Sequence, residues 1–180
     1  MLDKFTQSLV KDHEVILNAV SRLQQRVENW RRIKTIDSVE SLRNFIEFAR
    51  TFTDKCHHGK EERCLFPCLE SMGIPREGGP IGVMLYEHEL GRQLIRRLDN
   101  ALQKYVQTRE GLDEVLDVCD EYISLITQHI SKENDVLFPM GQSVTPAEER
   151  EKTVECYEHI EHHEIGHETH HRLEKLSEKI

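Results

Sequence analysis

One short pattern occurs twice in this chain and restricts the possible folds more than any other feature. His57-x-x-x-Glu61 recurs as His129-x-x-x-Glu133, and a Leu-Phe-Pro segment follows each copy at the same distance. A histidine and a glutamate four residues apart lie on one face of an α-helix, one turn apart. Each copy therefore offers a nitrogen and an oxygen to one place, and the two copies together predict a centre for two metal ions.

Two further histidines belong to the same pattern. His13 and His88 are each flanked by an acidic residue on both sides. Along their own segments, these two histidines and the two of the repeat share helical spacing with apolar residues. We therefore expect four helices, each with one histidine on or beside the stripe that faces the core.

Size and charge exclude several classes of function. The chain has 180 residues with a formal net charge of -9, and 32% of its residues are charged. A single domain of this length buries a sizeable core without disulfides. Because no stripe of Lys and Arg is present, neither nucleic acid nor an anionic membrane is an expected partner.

The start of the chain and its cysteines predict a cytoplasmic protein. The first residues are polar and charged, unlike a signal peptide, and no stretch reaches the roughly 20 apolar residues of a membrane span. The odd number of cysteines, five, is typical of reduced thiols. For Cys64, Cys68 and Cys56, packing as small apolar residues is favoured over a reactive role near the metals.

The distribution of amphipathic segments predicts an all-α protein. We place helices at about 3–32, 38–71, 81–107 and 110–139, with a helical tail at about 146–178 that breaks near Gly166. Four long helices joined by short loops predict an up-down-up-down four-helix bundle over about residues 1–141. The C-terminal segment, about 145–180, is expected to pack outside the bundle within one domain of residues 1–180.

Helical spacing distinguishes two adjacent histidines. The positions one to four turns before His57 are mostly apolar, whereas those before His58 are mainly charged. We therefore expect His57 and Glu61 to face the core edge, and His58 to lie about 100° further round the helix on a solvated face. His58 and Glu62 are then candidates for orienting the metal-binding imidazoles by hydrogen bonds.

Glu61 and Glu133 require a cation if they are buried, because an ionised carboxylate without a partner costs several kcal/mol in a protein core. Arg92 is the one cationic side chain that we expect within reach of one of them. Mixed imidazole and carboxylate ligands suit iron, manganese or zinc. The candidate ligands are His13, His57, Glu61, His88, His129 and Glu133. Six ligands do not fill two octahedra, so we expect positions open to water, a diatomic molecule or peroxide.

The sequence resembles the haemerythrin-like family of HHE cation-binding domains. The resemblance covers essentially the whole chain and rests on Asp12-His13-Glu14 and on the segments CHHGKEERCLFP (56–67), GGPIGVMLYEHELGR (78–92) and HISKENDVLFP (129–139). It implies a four-helix bundle around a non-haem di-iron centre, with the six candidate ligands holding two Fe ions and Glu61 and Glu133 bridging them. Mn or Zn are possible substitutes.

One position departs from the oxygen-carrying haemerythrins, which have a second histidine one turn after the ligand of the third helix. Arg92 occupies that position here. The resemblance then implies one imidazole fewer and an additional open position. This favours sensing or redox defence with dioxygen, peroxide or nitric oxide as ligand over reversible oxygen storage. A peroxide-consuming enzyme of the catalase or peroxidase type and a metal-handling protein are the alternatives, and enzymatic activity is left open.

Two other features each allow more than one role. Tyr122 is a candidate for hydrogen bonding to a bound ligand or for gating its entry, although core packing is the more common role of a tyrosine in a bundle. The C-terminal segment holds six of the eleven histidines, among them His159, His163 and His167, which are spaced four apart. A second metal site there, or one ligand from there to the main site, is less favoured than a solvated face.

Overall fold

The structure is a computed structural model that describes residues 4–180, and the regular elements in this range are all helices. The predicted all-α class is therefore confirmed. Helix α1 is Lys4–Ile33, α2 spans 39–71, α3 is Pro80–Thr108, α4 spans 112–144, α5 spans 147–166 and α6 is His167–Ser177. The start of the predicted first helix at residue 3 lies outside the described residues.

Sections of π-helix interrupt the α-helical turns of helices α2 and α4. The π sections are Ala49–His58 and Glu61–Leu65 in α2 and Glu133–Leu137 in α4. Pro67 and Pro139 follow the second and third of these sections, and the helix continues past each proline. The predicted end of the fourth helix at residue 139 was therefore wrong by five residues.

Neighbouring helices run in opposite directions. Late residues of one helix contact early residues of the next around the bundle, through the pairs Arg31–Asp120 (2.6 Å), Arg50–Asp99 (2.7 Å) and Arg97–Glu121 (2.9 Å). At the other ends, His13 contacts Asn134 and His88 contacts His129. The result is a closed ring in which α1 packs on α2 and α4, and α3 packs on the same two helices.

The interior has two apolar clusters, one towards each end of the bundle. The larger contains Trp30, Phe45 and Leu98, and the smaller contains Phe5 and Phe66. Between them lies a layer of buried polar side chains, which are Asp12, His13, His57, His58, Lys60, Glu61, His88, His129 and Glu133. Apolar packing on both sides therefore excludes bulk water from the layer that contains all six candidate ligands.

The C-terminal tail packs across α1 and α2. Gly166 has a backbone φ of +85°, which residues other than glycine rarely adopt. It separates α5 from α6 as predicted. After this break, α6 lies against α2, where Leu173 is fully buried in the larger apolar cluster. Cys156 of α5 is joined to Cys64 of α2 by a disulfide bond.

The prediction that all five cysteines are reduced was wrong for Cys64 and Cys156, while Cys56, Cys68 and Cys119 are free thiols. The two bonded residues are 92 positions apart, and only the packing of the tail on α2 brings them together. No local pattern marks such a pair. The disulfide also removes the cysteine count as an argument for a cytoplasmic protein, which stays a prediction.

None of the helices within residues 4–180 is both long enough and apolar enough to cross a membrane.

Candidate metal centre

Three of the six candidate ligands lie in π-helical sections, at or near a boundary with α-helical turns. His57 is the last residue but one of the first section, Glu61 opens the second and Glu133 opens the third. π turns are rare in proteins and are concentrated at functional sites, because the wider turn changes the direction of the following side chains. All six candidate ligands are at most 1% exposed.

Each of the four predicted imidazoles uses its Nδ1 to donate a hydrogen bond to an oxygen outside the centre. The acceptors are Asn134 Oδ1 for His13 (2.9 Å), Asp12 Oδ2 for His57 (3.2 Å), Glu62 Oε1 for His88 (2.8 Å) and Glu87 Oε2 for His129 (2.9 Å). Carboxylate oxygens and the amide oxygen of asparagine only accept, so the proton is on Nδ1 and the lone pair is on Nε2. Such acceptors orient metal-binding histidines and increase their basicity.

The four Nε2 atoms converge in two pairs. Nε2 of His13 lies 3.0 Å from Nε2 of His57, and Nε2 of His88 lies 3.1 Å from Nε2 of His129. Since Nδ1 carries the proton in each ring, two lone pairs face each other within each pair. Two ligand atoms bound to one ion at about 2.1 Å and at right angles lie about 3.0 Å apart. Each pair therefore has the spacing of two ligands of one metal ion.

Glu61 and Glu133 lie between the two pairs and lack partners for their charge. Both side chains are 0% exposed, and none of their four oxygens has a hydrogen-bond partner. Glu61 is 3.6 Å from His57 and 3.4 Å from His88, while Glu133 is 3.2 Å from His13 and 3.3 Å from His129. Each carboxylate thus faces one imidazole of each pair, the arrangement of a bridging ligand.

Burial is the main cause that raises the pKa of Glu61, and the neighbouring charge of Glu133 raises it further. Without a cation, the two carboxylates cannot both stay ionised at neutral pH. Bound divalent ions would supply the missing counter-charge. The orphaned carboxylate oxygens and the facing lone pairs therefore fit a pair of metal ions.

His58 is a fifth imidazole of this centre. Its side chain is buried, its ring stacks on that of His88 at a centroid distance of 3.8 Å, and neither of its nitrogens has a hydrogen-bond partner. Burial holds its pKa well below the usual value, so the imidazole is neutral and able to ligate. The prediction of a solvated face was wrong because His58 ends a π section, where each residue rotates less round the axis than in an α-helix.

The ligand atoms form two groups that share Glu61. One group consists of His13, His57, Glu61 and Glu133, and the other consists of His58, His88, His129 and Glu61, each within 4.8 Å. The second group has three imidazoles although Arg92 replaces a histidine in α3. His58 of α2 thus makes up for the imidazole whose loss was expected from the sequence.

Glu62 and Arg92 act outside the centre. Glu62 accepts hydrogen bonds from His88 Nδ1 and from Arg92 Nη2, and Arg92 also donates to Asp54 Oδ1 at 2.8 Å. The expected pairing of Arg92 with Glu61 or Glu133 is absent among the described residues, since its partners are Asp54, Glu62 and Glu89. Arg92 instead fixes Glu62, which in turn orients His88.

Sequence reasoning missed a buried lysine next to the centre. Lys60 is 0% exposed, and its ammonium donates to Asp12 Oδ2 at 2.9 Å and to Glu161 Oε2 at 2.7 Å. Burial alone would raise the pKa of Asp12, but the hydrogen bond from His57 and the charge of Lys60 lower it to about 2. Asp12 therefore stays ionised as the acceptor of His57. The signal in the sequence was weak, because Lys60 lies among charged residues that suggest a solvated face.

A cavity of about 130 Å³ connects the second group of ligands with the surface. Its inner wall includes His58 and His129, and its sides include Gly91, Tyr122 and Ile126. Tyr122 is 3% exposed, and its ring packs edge-on against Phe45. Charged residues line the cavity as well, namely Arg50, Asp54, Glu87, Arg92 and Arg96.

Comparison with known protein families agrees with this geometry. The family model of the haemerythrin HHE cation-binding domain matches residues 4–141. The chain belongs to this family. The matched region covers the four helices of the bundle and all seven side chains of the centre. The haemerythrin-like bundle therefore carries a cation-binding site, and the tail lies outside the matched region.

Several curated relatives of this haemerythrin-like chain are named iron-sulfur cluster repair protein YtfE. The protein from Dickeya chrysanthemi is 38% identical over 93 residues, which covers 46% of this chain and 39% of that protein. The protein from Salmonella schwarzengrund is 34% identical over 87 residues, with the same coverage of both chains. This chain thus spans about two fifths of the length of these relatives. No solved structure matches it significantly.

Proposed function

We propose that this haemerythrin-like protein holds two iron ions and binds a small ligand, either a diatomic molecule or peroxide, beside them. His13 and His57 would hold one ion, and His58, His88 and His129 would hold the other, with Glu61 and Glu133 between the two ions. The observation that supports this most is the pair of buried carboxylates without hydrogen-bond partners, which face imidazole lone pairs on both sides.

Ligand chemistry supports iron, with manganese and zinc as substitutes. The set consists of imidazoles and carboxylates without a thiolate, which suits borderline and hard divalent metals. When bound, a pair of iron ions supplies Lewis acidity and redox equivalents to the small ligand. The protein excludes water with the apolar clusters on either side and keeps the imidazoles in their ligating form through the acceptors at Nδ1.

The cavity at Gly91 supports a diatomic ligand as the molecule that enters. Its volume of about 130 Å³ accommodates a few small molecules, and Gly91, Tyr122 and Ile126 give it a partly apolar wall. A Cβ atom on Gly91 would lie 3.8 Å from both Leu125 and Tyr122, so larger side chains at this position would project into the same space. Dioxygen and nitric oxide are small and weakly polar, and they therefore suit the size and the partly apolar wall of this cavity.

The test measures nitric oxide binding to the anaerobic, iron-loaded protein by stopped-flow absorbance. Gly91→Leu should lower the association rate at least tenfold, while the iron content stays at about two per chain. Val83→Leu is the control, because Val83 lies on an exposed face of the same helix. An unchanged rate in Gly91→Leu would reject entry through this cavity. An iron-loaded protein whose spectrum responds to neither nitric oxide, dioxygen nor peroxide would reject a ligand-binding function.

The relatives favour one second candidate, the supply of iron for the repair of iron-sulfur clusters. It predicts that the iron-loaded protein restores an iron-dependent absorbance to an apo iron-sulfur protein, in the presence of sulfide, faster than an equal concentration of free iron does. Iron that stays bound during this assay would reject the candidate. Ligand binding at the cavity would be unaffected by that outcome.

A further inference from the structure

A second cluster of metal-ligating side chains lies outside the haemerythrin-like centre, where the C-terminal tail meets α2. Cys56 of α2, Glu161 of α5 and His170 of α6 bring a thiol, a carboxylate oxygen and an imidazole nitrogen within 4.8 Å of one another. These residues come from three different helices. The tail histidines that are spaced four apart, His159, His163 and His167, for which a solvated face was favoured over a metal site, are absent from this group.

His170 is oriented towards the cluster by its packing. Its ring contacts that of Phe52 at a centroid distance of 5.1 Å, and Phe52 is fully buried. Nε2 of His170 is buried without a hydrogen-bond partner and lies 3.9 Å from Glu161 Oε2, too far for a hydrogen bond. A buried imidazole nitrogen without a partner is costly, so it indicates a group that is not part of the protein.

Glu161 is held in place by the ammonium of Lys60, which also bonds Asp12. A carboxylate oxygen has two lone pairs, so Oε2 of Glu161 can accept from Lys60 and ligate an ion at the same time. The charges also balance. Lys60 and a divalent ion carry +3, and Asp12, Glu161 and a Cys56 thiolate carry -3.

Cys56 is 0% exposed, and burial raises the pKa of its thiol to about 12. The thiol is therefore protonated in the absence of a metal and is a poor nucleophile. A thiophilic divalent ion displaces such a proton when it binds. A groove of about 400 Å³, lined by Asp12, Glu161 and His170, gives solvent access to the cluster and space for a water molecule as fourth ligand.

We propose that Cys56, Glu161 and His170 form a third metal site, specific for a borderline divalent ion of the zinc type, which clamps the tail onto α2. The combination of one thiolate, one imidazole and one carboxylate suits zinc and cobalt and disfavours magnesium and calcium. The site differs from the di-metal centre in its thiolate ligand and in its dependence on the tail.

Cobalt(II) titration of the metal-free protein tests this proposal, because cobalt bound to a thiolate gives a sulfur-to-metal charge-transfer band. No reducing agent is present, so that the Cys64–Cys156 disulfide stays intact. The wild type should bind three cobalt ions per chain, and the band should reach the intensity of one thiolate–cobalt bond. Cys56→Ser should bind two ions and lose the band.

Two further variants make the result independent of whether Cys56→Ser folds. His170→Ala should weaken binding of the third ion at least tenfold without affecting the first two, since His170 lies on the tail and belongs to neither ligand group of the di-metal centre. His171→Ala is the matched control, because this exposed neighbour lies outside the cluster, and it should bind three ions. A wild type that binds two ions without the band, or a band that persists in Cys56→Ser, would overturn the proposal.

Discussion

Among single residues, His58 allows the most informative test of the ligand set, because it is a buried imidazole without a hydrogen-bond partner. We predict that His58→Gln weakens binding of one of the two iron ions at least tenfold, since the second group then keeps only two imidazoles. Competition with a chelator of known affinity measures this change. His163→Gln is the control, because His163 is exposed on the tail. Equal iron affinities in the two variants would show that His58 is not a ligand of the iron.

Glu62 is the second residue with a testable role, because it orients His88 and is itself held by Arg92. Loss of an acceptor behind a metal-binding histidine typically costs 10–100-fold in metal affinity. We predict a loss of about this size for Glu62→Gln. Glu70→Gln should leave the affinity unchanged, since Glu70 is an exposed residue of the same helix that pairs with Arg76. A Glu62→Gln protein with wild-type affinity would show that His88 needs no such support.

At the scale of helices, the disulfide fixes α5 to α2. A bond that closes a loop of 92 residues restricts the unfolded chain strongly. We predict that Cys156→Ser lowers the free energy of unfolding by about 2–5 kcal/mol in urea titrations. Cys68→Ser is the control, because Cys68 is a free thiol on the same helix as Cys64. If reductant destabilised the wild type no more than it destabilises Cys156→Ser, the disulfide would contribute nothing to stability.

Helix positions were predictable from the sequence, whereas local changes of helix type were not. Amphipathic spacing and the Ser38 cap gave the end of α1 and both ends of α2 to within about one residue, and the cap is present as Ser38 Oγ accepting from the Ser41 amide. The π turns have no sequence signature that a period of 3.6 residues reveals. His57 and His58 both lie in the first π section, where successive residues are closer round the axis than in an α-helix, and both imidazoles are buried.

For the whole molecule, the two buried carboxylates couple metal binding to stability. Metal that binds only the folded chain stabilises it by about 4 kcal/mol at a thousandfold excess over Kd. For a chain of this size, removal of iron by a chelator should therefore lower Tm by about 10 °C. Differential scanning calorimetry before and after chelation measures this difference. An unchanged Tm would mean that the bundle does not need the cations to neutralise Glu61 and Glu133.

The metal-free protein allows a complementary prediction. Burial raises the pKa of Glu61 above its unfolded value, so this group destabilises the folded state increasingly as pH rises above about 4.3. Glu61→Gln removes the ionisable group. Metal-free Glu61→Gln should therefore be more stable than the metal-free wild type, and the advantage should grow between about pH 5 and pH 8. A variant that is less stable at pH 8 would contradict a buried, uncompensated carboxylate.

The main ligands of the centre could be predicted from the sequence, whereas most of the residues that support them could not. His-x-x-x-Glu in two copies and two flanked histidines were enough to predict six ligands that the fold brings into one layer. The acceptors at Nδ1 were not predictable, except for Glu62, because Glu87 and Asp12 act across helix interfaces. The same reason applies to Lys60 and to the Cys56–Glu161–His170 cluster, whose members meet only after the tail has packed.

Anomalous X-ray diffraction at the iron absorption edge, on crystals of the iron-loaded protein, shows directly whether these side chains hold two iron ions. We expect two iron peaks in the buried polar layer, one next to Nε2 of His13 and His57 and one next to Nε2 of His88 and His129, with His58 ligating the second. A single peak, or peaks away from these imidazoles, would contradict this expectation.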